Sequence, residues 1–363
     1  MIKLSCIIKT FESDLLVEYQ DKLLPSHKNA LWAMKSCRSS QSPTMLTRCV
    51  NCKEEQYVPH SCGHRNCPHC QHHESQQWLE RQLKKQVPAD YFLVTFTLPA
   101  QFRPLAWRYQ RILYTAMLKC SWETLNSFCQ NDKQLQGTAG AISVLHTHSR
   151  RLDYHPHVHV VIPAAAIDKK KRLWRTKTKC KNKKAFLFSH KALAKVFRAK
   201  MLEEITQAGL VLPAKYPTKW VVDCKAAGAG DKALIYLGRY LYRGVVKEKD
   251  IVACKDGKVT FRYQDSKTKK IEFRTLPGAD FLWLLLRHVL PKGFRRARNF
   301  GFLHPNSKQL LQILHLVLKF DPNRALAWMK KRPSMVCHCC GGEMEIIKTR
   351  IPPIFMKIQK VAT

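Results

Sequence analysis

The sequence predicts an α+β protein whose main sheet is antiparallel and whose N-terminal part carries a small zinc-binding module. Three observations lead to this fold class. Histidines alternate with apolar residues over Tyr154–Ile162, as in a strand. A second apolar stretch, Ala141–His148, can pair with it as a hairpin, and helical stretches with one apolar side precede and follow the pair. Five cysteines fall between Cys49 and Cys70.

The strongest compositional feature is positive charge, with 63 Lys and Arg against 26 Asp and Glu residues and a formal net charge of +37. Such an excess repels itself in a compact fold unless a polyanion offsets it, so we expect nucleic acid as the partner. A basic ribosome- or membrane-associated protein is the alternative. No apolar run approaches the roughly 20 residues of a membrane helix, and the N-terminus has no signal-type apolar block. We therefore expect a cytoplasmic protein without a membrane partner.

Residues 1–40 are expected to form an N-terminal helical segment. Apolar residues recur at helical spacing over residues 12–35, and Pro25 should divide the run into two helices.

Residues 41–87 are the candidate zinc-binding, DNA-recognition domain, because they hold two Cys-x2-Cys pairs. The pairs are Cys49/Cys52 and Cys67/Cys70. Together they supply four thiolates for one tetrahedral, structural zinc ion, and the 14 residues between them suit a zinc ribbon or finger. Cys62 and His64 are further candidates, for this ion or a second one. Clustered cysteines in a reducing compartment favour zinc over disulfides, with free buried cysteines as the alternative.

The strand Tyr154–Ile162 places histidines on one face and apolar side chains on the other. His155, His157 and His159 occupy alternate positions, and the residues between them point toward a core. Two imidazoles two residues apart on a strand can hold one divalent metal ion. Taken alone, the pair could equally be surface or core histidines.

The predicted hairpin offers a third metal ligand. If its turn is centred on residues 151–152, His146 lies opposite His157 on the same face. His146 is therefore the candidate third ligand, with His148 and His155 as alternatives. A shift of one residue would exchange the faces, and a hydrogen-bonded strand histidine is the alternative to a ligand.

A helix over Asp231–Arg243 carries Tyr236 and Tyr240, four residues apart. Both hydroxyls can emerge on one face of the helix, and Arg239 and Arg243 are close enough in sequence to bind phosphate beside them. From this helix alone, an amphipathic helix that buries both rings is the better interpretation.

Two further stretches are rich in cations. Residues 168–184 are expected to form a Lys-rich loop, in which Trp174 would either stack on an unpaired base or lie in a solvated run of charge. In residues 290–303, cations alternate with Phe and Gly, as in a loop that grips a DNA backbone and stacks bases. The candidate DNA-binding residues are Lys292, Arg295, Arg296 and Arg298.

Residues 306–363 are expected to form C-terminal helices, over 306–319 and 322–331, and a Cys-rich tail. Cys337 and Cys340 make a single Cys-x2-Cys pair, half of a zinc knuckle, whose missing ligands are either remote in the sequence or absent. The chain has no Gly-x4-Gly-Lys-Ser/Thr motif, which argues against a nucleoside-triphosphate motor.

Taken in order, these motifs resemble the two-tyrosine HUH transposases of rolling-circle insertion sequences, the IS91-like group. The matching elements are the cysteines of Cys49–Cys70, the strand Phe92–Pro99, His146-Thr147, the histidines of His155–His159, the motif Tyr236-Leu237-x-Arg239-Tyr240, and the stretch from His288 to Arg298. No single motif is specific to the family, but the ordered set is.

The resemblance implies a HUH two-tyrosine catalytic domain over residues 88–305, with a palm-like antiparallel sheet flanked by helices. It implies that His157 and His159 hold a catalytic Mg²⁺ or Mn²⁺ ion. It further implies that Tyr236 and Tyr240 are nucleophiles, which reverses the interpretation of two buried rings, and that they form a 5′-phosphotyrosine bond with single-stranded DNA. Its partners would be element ends, target DNA and host helicase or replication machinery, in the bacterial cytoplasm at the nucleoid.

Three other functions remain compatible with the sequence. A related rolling-circle replication initiator or conjugative relaxase would use the same chemistry. A non-catalytic zinc protein that binds DNA or RNA would explain the charge and the cysteines, but it would not need the histidines and tyrosines to converge. A metal hydrolase that uses the histidines alone is disfavoured, because no acidic cluster accompanies them.

Overall fold

The computed structural model describes residues 2–168, 170–177, 187–242, 244–265, 268–324, 326 and 335–352. Its α-helices are α1 (Leu4–Tyr19), α2 (Pro25–Ser36), α3 (His72–Leu83), α4 (Arg103–Arg108), α5 (Gln110–Asn131), α6 (His190–Gln207), α7 (Asp231–Tyr242), α8 (Gly278–Leu286) and α9 (Lys308–Val317). None of the helices in these ranges is long and apolar enough to cross a membrane.

The strands are β1 (Thr44–Cys49), β2 (Glu55–Pro59), β3 (Tyr91–Thr97), β4 (Thr138–His148), β5 (Tyr154–Pro163), β6 (Ala165–Asp168), β7 (Leu173–Thr176), β8 (Val222–Ala226), β9 (Ile251–Lys255), β10 (Lys258–Gln264), β11 (Ile271–Pro277), β12 (Ala297–Gly301) and β13 (Met344–Ile351). The main sheet has the order β7-β6-β4-β5-β3-β8, and β12 pairs with β4 next to β6. Two smaller sheets have the orders β11-β10-β9 and β13-β1-β2. Every pairing is antiparallel, which confirms the predicted α+β class.

The centre of the main sheet is the pairing of β4 with β5. His146 lies opposite His157, and Val144 lies opposite His159. This is the register predicted from a turn centred on residues 151–152. On its other side β5 pairs with β3, so hydrogen bonds along both edges fix its register.

The alternation along β5 divides its side chains between two layers. Val158, Val160 and Ile162 join the largest apolar cluster, on the face covered by α5 and α6. This confirms the predicted core face. The opposite face carries the histidines and Val161, and α7 lies over it with α3 behind.

The N-terminal segment forms the two predicted helices. α1 ends at Tyr19, and α2 begins at Pro25, which occupies the first helical position, where a missing N–H costs nothing. α1 packs on α8, and the Leu4 N–H donates to the Glu248 carboxylate at 2.7 Å. These helices therefore cover the small β9–β11 sheet and share its apolar core.

The C-terminal tail joins the zinc-binding module. β13 pairs along β1, so that Met344 lies opposite Cys49 and Ile346 lies opposite Thr47. Parts of the two segments expected as separate domains, 41–87 and 306–363, thus share one sheet.

Part of the Lys-rich stretch 168–184 is a strand. β7 pairs with β6, and Trp174 packs edge-on against Phe302 with ring centroids 5.6 Å apart. Trp174 is half-buried by this packing, so it does not lie in a fully solvated run of charge, and its stacking on a base stays a prediction. Residues 169 and 178–186, and most of the helix predicted over 322–331, lie outside the described residues.

Gly301, at the end of β12, should not tolerate a side chain. Its φ is +59°, and a Cβ there would lie 1.7 Å from the Ala139 carbonyl oxygen. Gly301→Ala should therefore lower the free energy of unfolding by more than the roughly 1–2 kcal/mol that left-handed backbone costs other residues. Gly257→Ala is the control, because Gly257 has φ +69° and open space around it. Urea unfolding measures both variants, and an equal loss of unfolding free energy in Gly301→Ala and Gly257→Ala would contradict this expectation.

His27 should make stability depend on pH. Its Nδ1 accepts from the Leu24 N–H, its ring lies against Trp107 and Trp283, and burial lowers its pKa from 6.5 to about 4. Because the unfolded chain binds this proton more tightly, the stabilisation is complete above about pH 6.5 and is lost as the pH falls toward 4. We expect a loss of about 1 kcal/mol at pH 5.5 relative to pH 7.5.

Urea unfolding at the two pH values measures this effect. His27→Gln cannot be protonated and should remove that part of the pH dependence. A variant as sensitive to acid as the wild type would contradict the assignment.

Candidate active site

Three histidines from two paired strands form a compact cluster on the α7 face of the main sheet. His146 on β4 and His157 and His159 on β5 each place a ring nitrogen within 4.8 Å of the other two. The ring centroids are 5.2 Å apart for His146 and His157, 4.5 Å for His146 and His159, and 4.9 Å for His157 and His159. Three nitrogens this close could hold one metal ion.

Hydrogen bonds orient two of the rings. His157 Nδ1 donates to the backbone oxygen of His155 at 2.7 Å, which leaves the ring's lone pair on Nε2. His159 Nδ1 lies 2.8 Å from the Thr95 hydroxyl. Metal-binding histidines are commonly oriented through their second ring nitrogen in this way. Sequence reasoning missed Thr95, whose role becomes visible only once β3 is paired with β5.

The two alternative third ligands, His148 and His155, lie outside the three-histidine group, although the ring centroid of His155 is 5.2 Å from that of His157. The Arg103 guanidinium donates to His155 Nδ1 at 2.7 Å. The ring of His148 lies against that of His288, with centroids 5.3 Å apart. Of the three candidates, His146 is the one that the structure brings to the His157 and His159 pair.

Burial keeps the clustered imidazoles neutral. Loss of hydration lowers the pKa of His157 to about 4 and holds the pKa values of His146 and His159 well below 6.5. Neighbouring histidines and the positive charge of Arg296 lower the pKa of His146 further. A neutral imidazole offers its lone pair to a metal, so the cluster is suited to metal binding at neutral pH.

Tyr236 projects from α7 next to this cluster. Its ring centroid is 5.8 Å from that of His159, with the two planes nearly perpendicular, and the residue is 36% exposed. Leu234, Leu237 and Leu241 form the buried side of the same helix. The interpretation that α7 buries its tyrosine rings is therefore wrong for Tyr236.

The other predicted residues of α7 cannot be placed in the site. The side chains of Arg239 and Tyr240, and all of Arg243, lie outside the described residues.

The zinc-binding module supports α7. The Ser75 hydroxyl on α3 donates to the backbone oxygen of Gly238, in the middle of α7, at 3.0 Å. Just beyond the helix, Val246 shares an apolar cluster with Cys67 and Cys70. The cysteine loop and α3 therefore help to set the position of the helix that carries Tyr236.

An open cavity of about 510 Å³ adjoins Tyr236. Its walls come from the β4–β5 turn, the segment after α7, and β10. Arg150, Lys247 and Arg262 bring positive charge to these walls, and Arg262 also pairs with Asp250 at 3.1 Å. The volume lies within the range of ligand pockets, so part of a nucleic-acid strand can enter beside the tyrosine.

The four predicted DNA-binding residues of 290–303 occupy different surroundings. Arg295 and Arg298 line a groove of about 860 Å³, and Lys292 is exposed. The groove also contains Arg81, Lys85 and Arg111. Arg296 lies near enough to the histidines for its charge to act on His146.

The aromatic residues of this stretch belong to the interior. Phe294 and Phe302 are buried, and Phe300 stacks on Trp122 with ring centroids 5.2 Å apart. The prediction that these rings stack on bases is therefore wrong. Pairing of β12 with β4 turns an apparently exposed basic stretch into part of the sheet.

The cysteines form two four-thiol clusters where the sequence predicted one. The bridging cluster contains Cys49, Cys52, Cys337 and Cys340. The loop cluster contains Cys37, Cys62, Cys67 and Cys70. The prediction that the pairs at 49/52 and 67/70 share one zinc is therefore wrong, because β13 brings the C-terminal pair to β1.

The additional zinc candidates divide in the same way. Cys62 belongs to the loop cluster, in which sulfur atoms lie 3.3 Å apart for Cys37 and Cys70 and 3.6 Å apart for Cys62 and Cys70. His64 does not, and its Nδ1 accepts from the Asn66 N–H at 3.3 Å. Sequence reasoning missed Cys37, a lone cysteine at the end of α2 without a spacing signal.

Comparison with known proteins relates the chain to transposases. The family model described as "Putative transposase" matches residues 140–310, and the one described as "Transposase zinc-binding domain" matches residues 7–98. The chain is 28% identical over 304 residues to "Putative transposase y4qJ" of Sinorhizobium fredii, covering 77% of this chain and 75% of that protein. It is 28% identical over 284 residues to the transposase for insertion sequence element IS801 of Pseudomonas savastanoi pv. phaseolicola, covering 74% of this chain and 68% of that protein.

Among solved structures, the conjugative relaxase TrwC in complex with oriT DNA has a TM-score of 0.28 and 15% identity, covering 63% of this chain and 72% of its own. A score this low supports no conclusion about function.

The matches define a transposase, a class of enzyme that cleaves DNA. The chain carries a transposase zinc-binding domain and a transposase region in order, and these matches are consistent with the IS91-like family.

Removal of one clustered histidine should strongly weaken binding of a divalent ion. We expect His157→Ala to weaken Mn²⁺ binding by more than about 100-fold, because a direct ligand matters more than the supporting residues, which are worth 10–100-fold. His155→Ala is the control on the same strand and should change the affinity by less than about tenfold. Calorimetric titration of zinc-loaded protein measures both. Similar affinities for the two variants would contradict the three-histidine site.

Proposed function

We propose that this transposase cleaves and rejoins single-stranded DNA at the ends of its insertion sequence, with Tyr236 as nucleophile and His146, His157 and His159 as ligands of a divalent ion. The observation that carries the proposal is the exposed ring of Tyr236 beside three buried, neutral imidazoles, 5.8 Å from the ring of His159. A zinc protein that only binds DNA would explain the positive charge and the cysteines. It would not need Tyr236 and the three histidines to lie together.

The donor set is compatible with the expected ions. Each histidine contributes a neutral nitrogen, and Mn²⁺ accepts nitrogen ligands more readily than Mg²⁺, so we expect Mn²⁺ to bind more tightly of the two. When bound, such an ion polarises a phosphodiester and draws charge from its oxygens.

The chain's own groups then carry the reaction. The Tyr236 oxygen attacks phosphorus, an O–P bond forms, and the bond from phosphorus to the 3′ oxygen breaks. The phenol proton passes to solvent, and the departing 3′ oxygen takes up a proton. The products are a 5′-phosphotyrosine and a free 3′-OH. Because the covalent bond replaces one phosphodiester with another, a later 3′-OH can reverse the step and join strands without ATP.

Tyr240 is the proposed second nucleophile, one helical turn after Tyr236. A second tyrosine permits a new cleavage while the first remains bonded to DNA. Arg239 and Arg243 would neutralise phosphate near the two tyrosines.

The path of the DNA is proposed from charge and shape. The cavity beside Tyr236 would take the nucleotides next to the cleaved bond, while the groove lined by Arg295 and Arg298 would take more distant backbone. A net charge of +37 would keep the protein on nucleoid DNA. Strand separation would fall to a host helicase, since the chain has no Gly-x4-Gly-Lys-Ser/Thr motif.

Covalent capture of DNA tests the proposal. Single-stranded oligonucleotides from both ends of the encoding element are incubated with the protein and Mn²⁺, then separated under denaturing conditions. A label at the DNA 3′ end should move with the protein, whereas a label at the 5′ end should appear on a shorter free strand. Tyr236→Phe should lower the adduct at least about tenfold, and Tyr236→Phe/Tyr240→Phe should abolish it.

One control variant makes the result specific. Tyr109→Phe removes the hydroxyl of a tyrosine between α4 and α5, outside the candidate DNA-recognition domain, and should leave the adduct unchanged. Full adduct from Tyr236→Phe would refute the nucleophile assignment. Tight DNA binding by wild type with no adduct at either end would indicate a non-catalytic zinc protein instead.

A further inference from the structure

The bridging cluster joins two Cys-x2-Cys pairs from opposite parts of the chain. Sulfur atoms lie 3.5 Å apart for Cys49 and Cys340, 3.6 Å for Cys52 and Cys337, and 3.5 Å for Cys52 and Cys340. A tetrahedral zinc ion with Zn–S bonds of about 2.3 Å separates its sulfur ligands by about 3.8 Å. The four thiols therefore already lie close to the corners of a zinc-sized tetrahedron.

Each Cys-x2-Cys pair of the bridging cluster lies on a turn of the backbone. The N–H groups of Asn51 and Cys52 donate to the Cys49 sulfur, and those of Cys339 and Cys340 donate to the Cys337 sulfur. Such donors stabilise thiolates, the form in which cysteine binds metal. Each half of the cluster thus supplies its own ligands and its own supporting donors.

Backbone pairing holds the two halves in register. β13 runs along β1 beside the cluster, and the Val50 N–H donates to the Glu343 oxygen at 2.9 Å. The apolar contribution is small, since the local cluster of buried residues is Cys49, Cys337 and Met344 with Met335 packed against it. A module with so little apolar core commonly depends on a metal for stability.

We propose that the bridging cluster binds a structural zinc ion that fastens the C-terminal tail to the N-terminal module. The family match for the zinc-binding domain ends at residue 98, so half of this ligand set lies far outside it. The loop cluster binds its own ion, and the protein carries two zinc ions per chain.

Metal analysis of purified full-length variants tests the proposal. Wild type should contain two zinc ions per chain, and Cys337→Ser/Cys340→Ser should contain one. Cys339→Ser is the matched control, because this exposed cysteine lies inside the same turn but outside the four-thiol set, and it should retain two. Cys340→His supplies a nitrogen ligand at the same position and should also retain two.

Cobalt titration of metal-free wild type gives a readout that needs no variant. Two equivalents of Co²⁺ should develop the absorption of tetrahedral four-thiolate sites. Saturation at one equivalent, or two zinc ions in Cys337→Ser/Cys340→Ser, would overturn the proposal. Loss of zinc from Cys339→Ser equal to that from the double variant would assign the ion instead to the neighbouring group Cys337, His338 and Cys339.

Discussion

The pairing of β4 with β5 determines where the candidate groups of the active site lie. β5 is hydrogen-bonded along both edges, so a shift of one residue would disrupt two ladders at once. Such a shift would also turn His157 and His159 into the apolar layer beneath α5 and expose valines to α7. The register is therefore what converts a local alternation of residue types into three rings on one face, where α7 can bring Tyr236 beside them.

Burial also shapes the electrostatics of this face. The clustered imidazoles stay neutral because loss of hydration opposes their protonation, while Arg296 adds positive charge nearby. In the part of the chain that the structure describes, no carboxylate belongs to the three-histidine group. A phosphodiester approaching this centre therefore meets no carboxylate within the histidine group, while Arg150, Lys247 and Arg262 in the adjoining cavity outnumber Asp250 there.

The site was predictable from the sequence where its geometry is local. Alternation over β5, with the preceding turn taken to be centred on residues 151–152, predicted the pairing of His146 with His157, because a short hairpin leaves few registers. Contacts across long separations were not predictable in this way. Only β13 reveals that Cys337 and Cys340 meet the pair at 49/52, and only the pairing of β12 with β4 shows that the aromatic rings of 290–303 are interior.

The bridging cluster can form only late in synthesis of the chain. Cys49 and Cys52 leave the ribosome early, yet their partners are made almost three hundred residues later. The N-terminal zinc-binding module is thus completed only after most of the chain has been made, and until then these two thiols are accessible to other metals, oxidants or chains. A chain truncated before Cys337 would retain both tyrosines and all three clustered histidines. It would lack two of the four thiols of the bridging cluster, so its N-terminal module would stay incomplete.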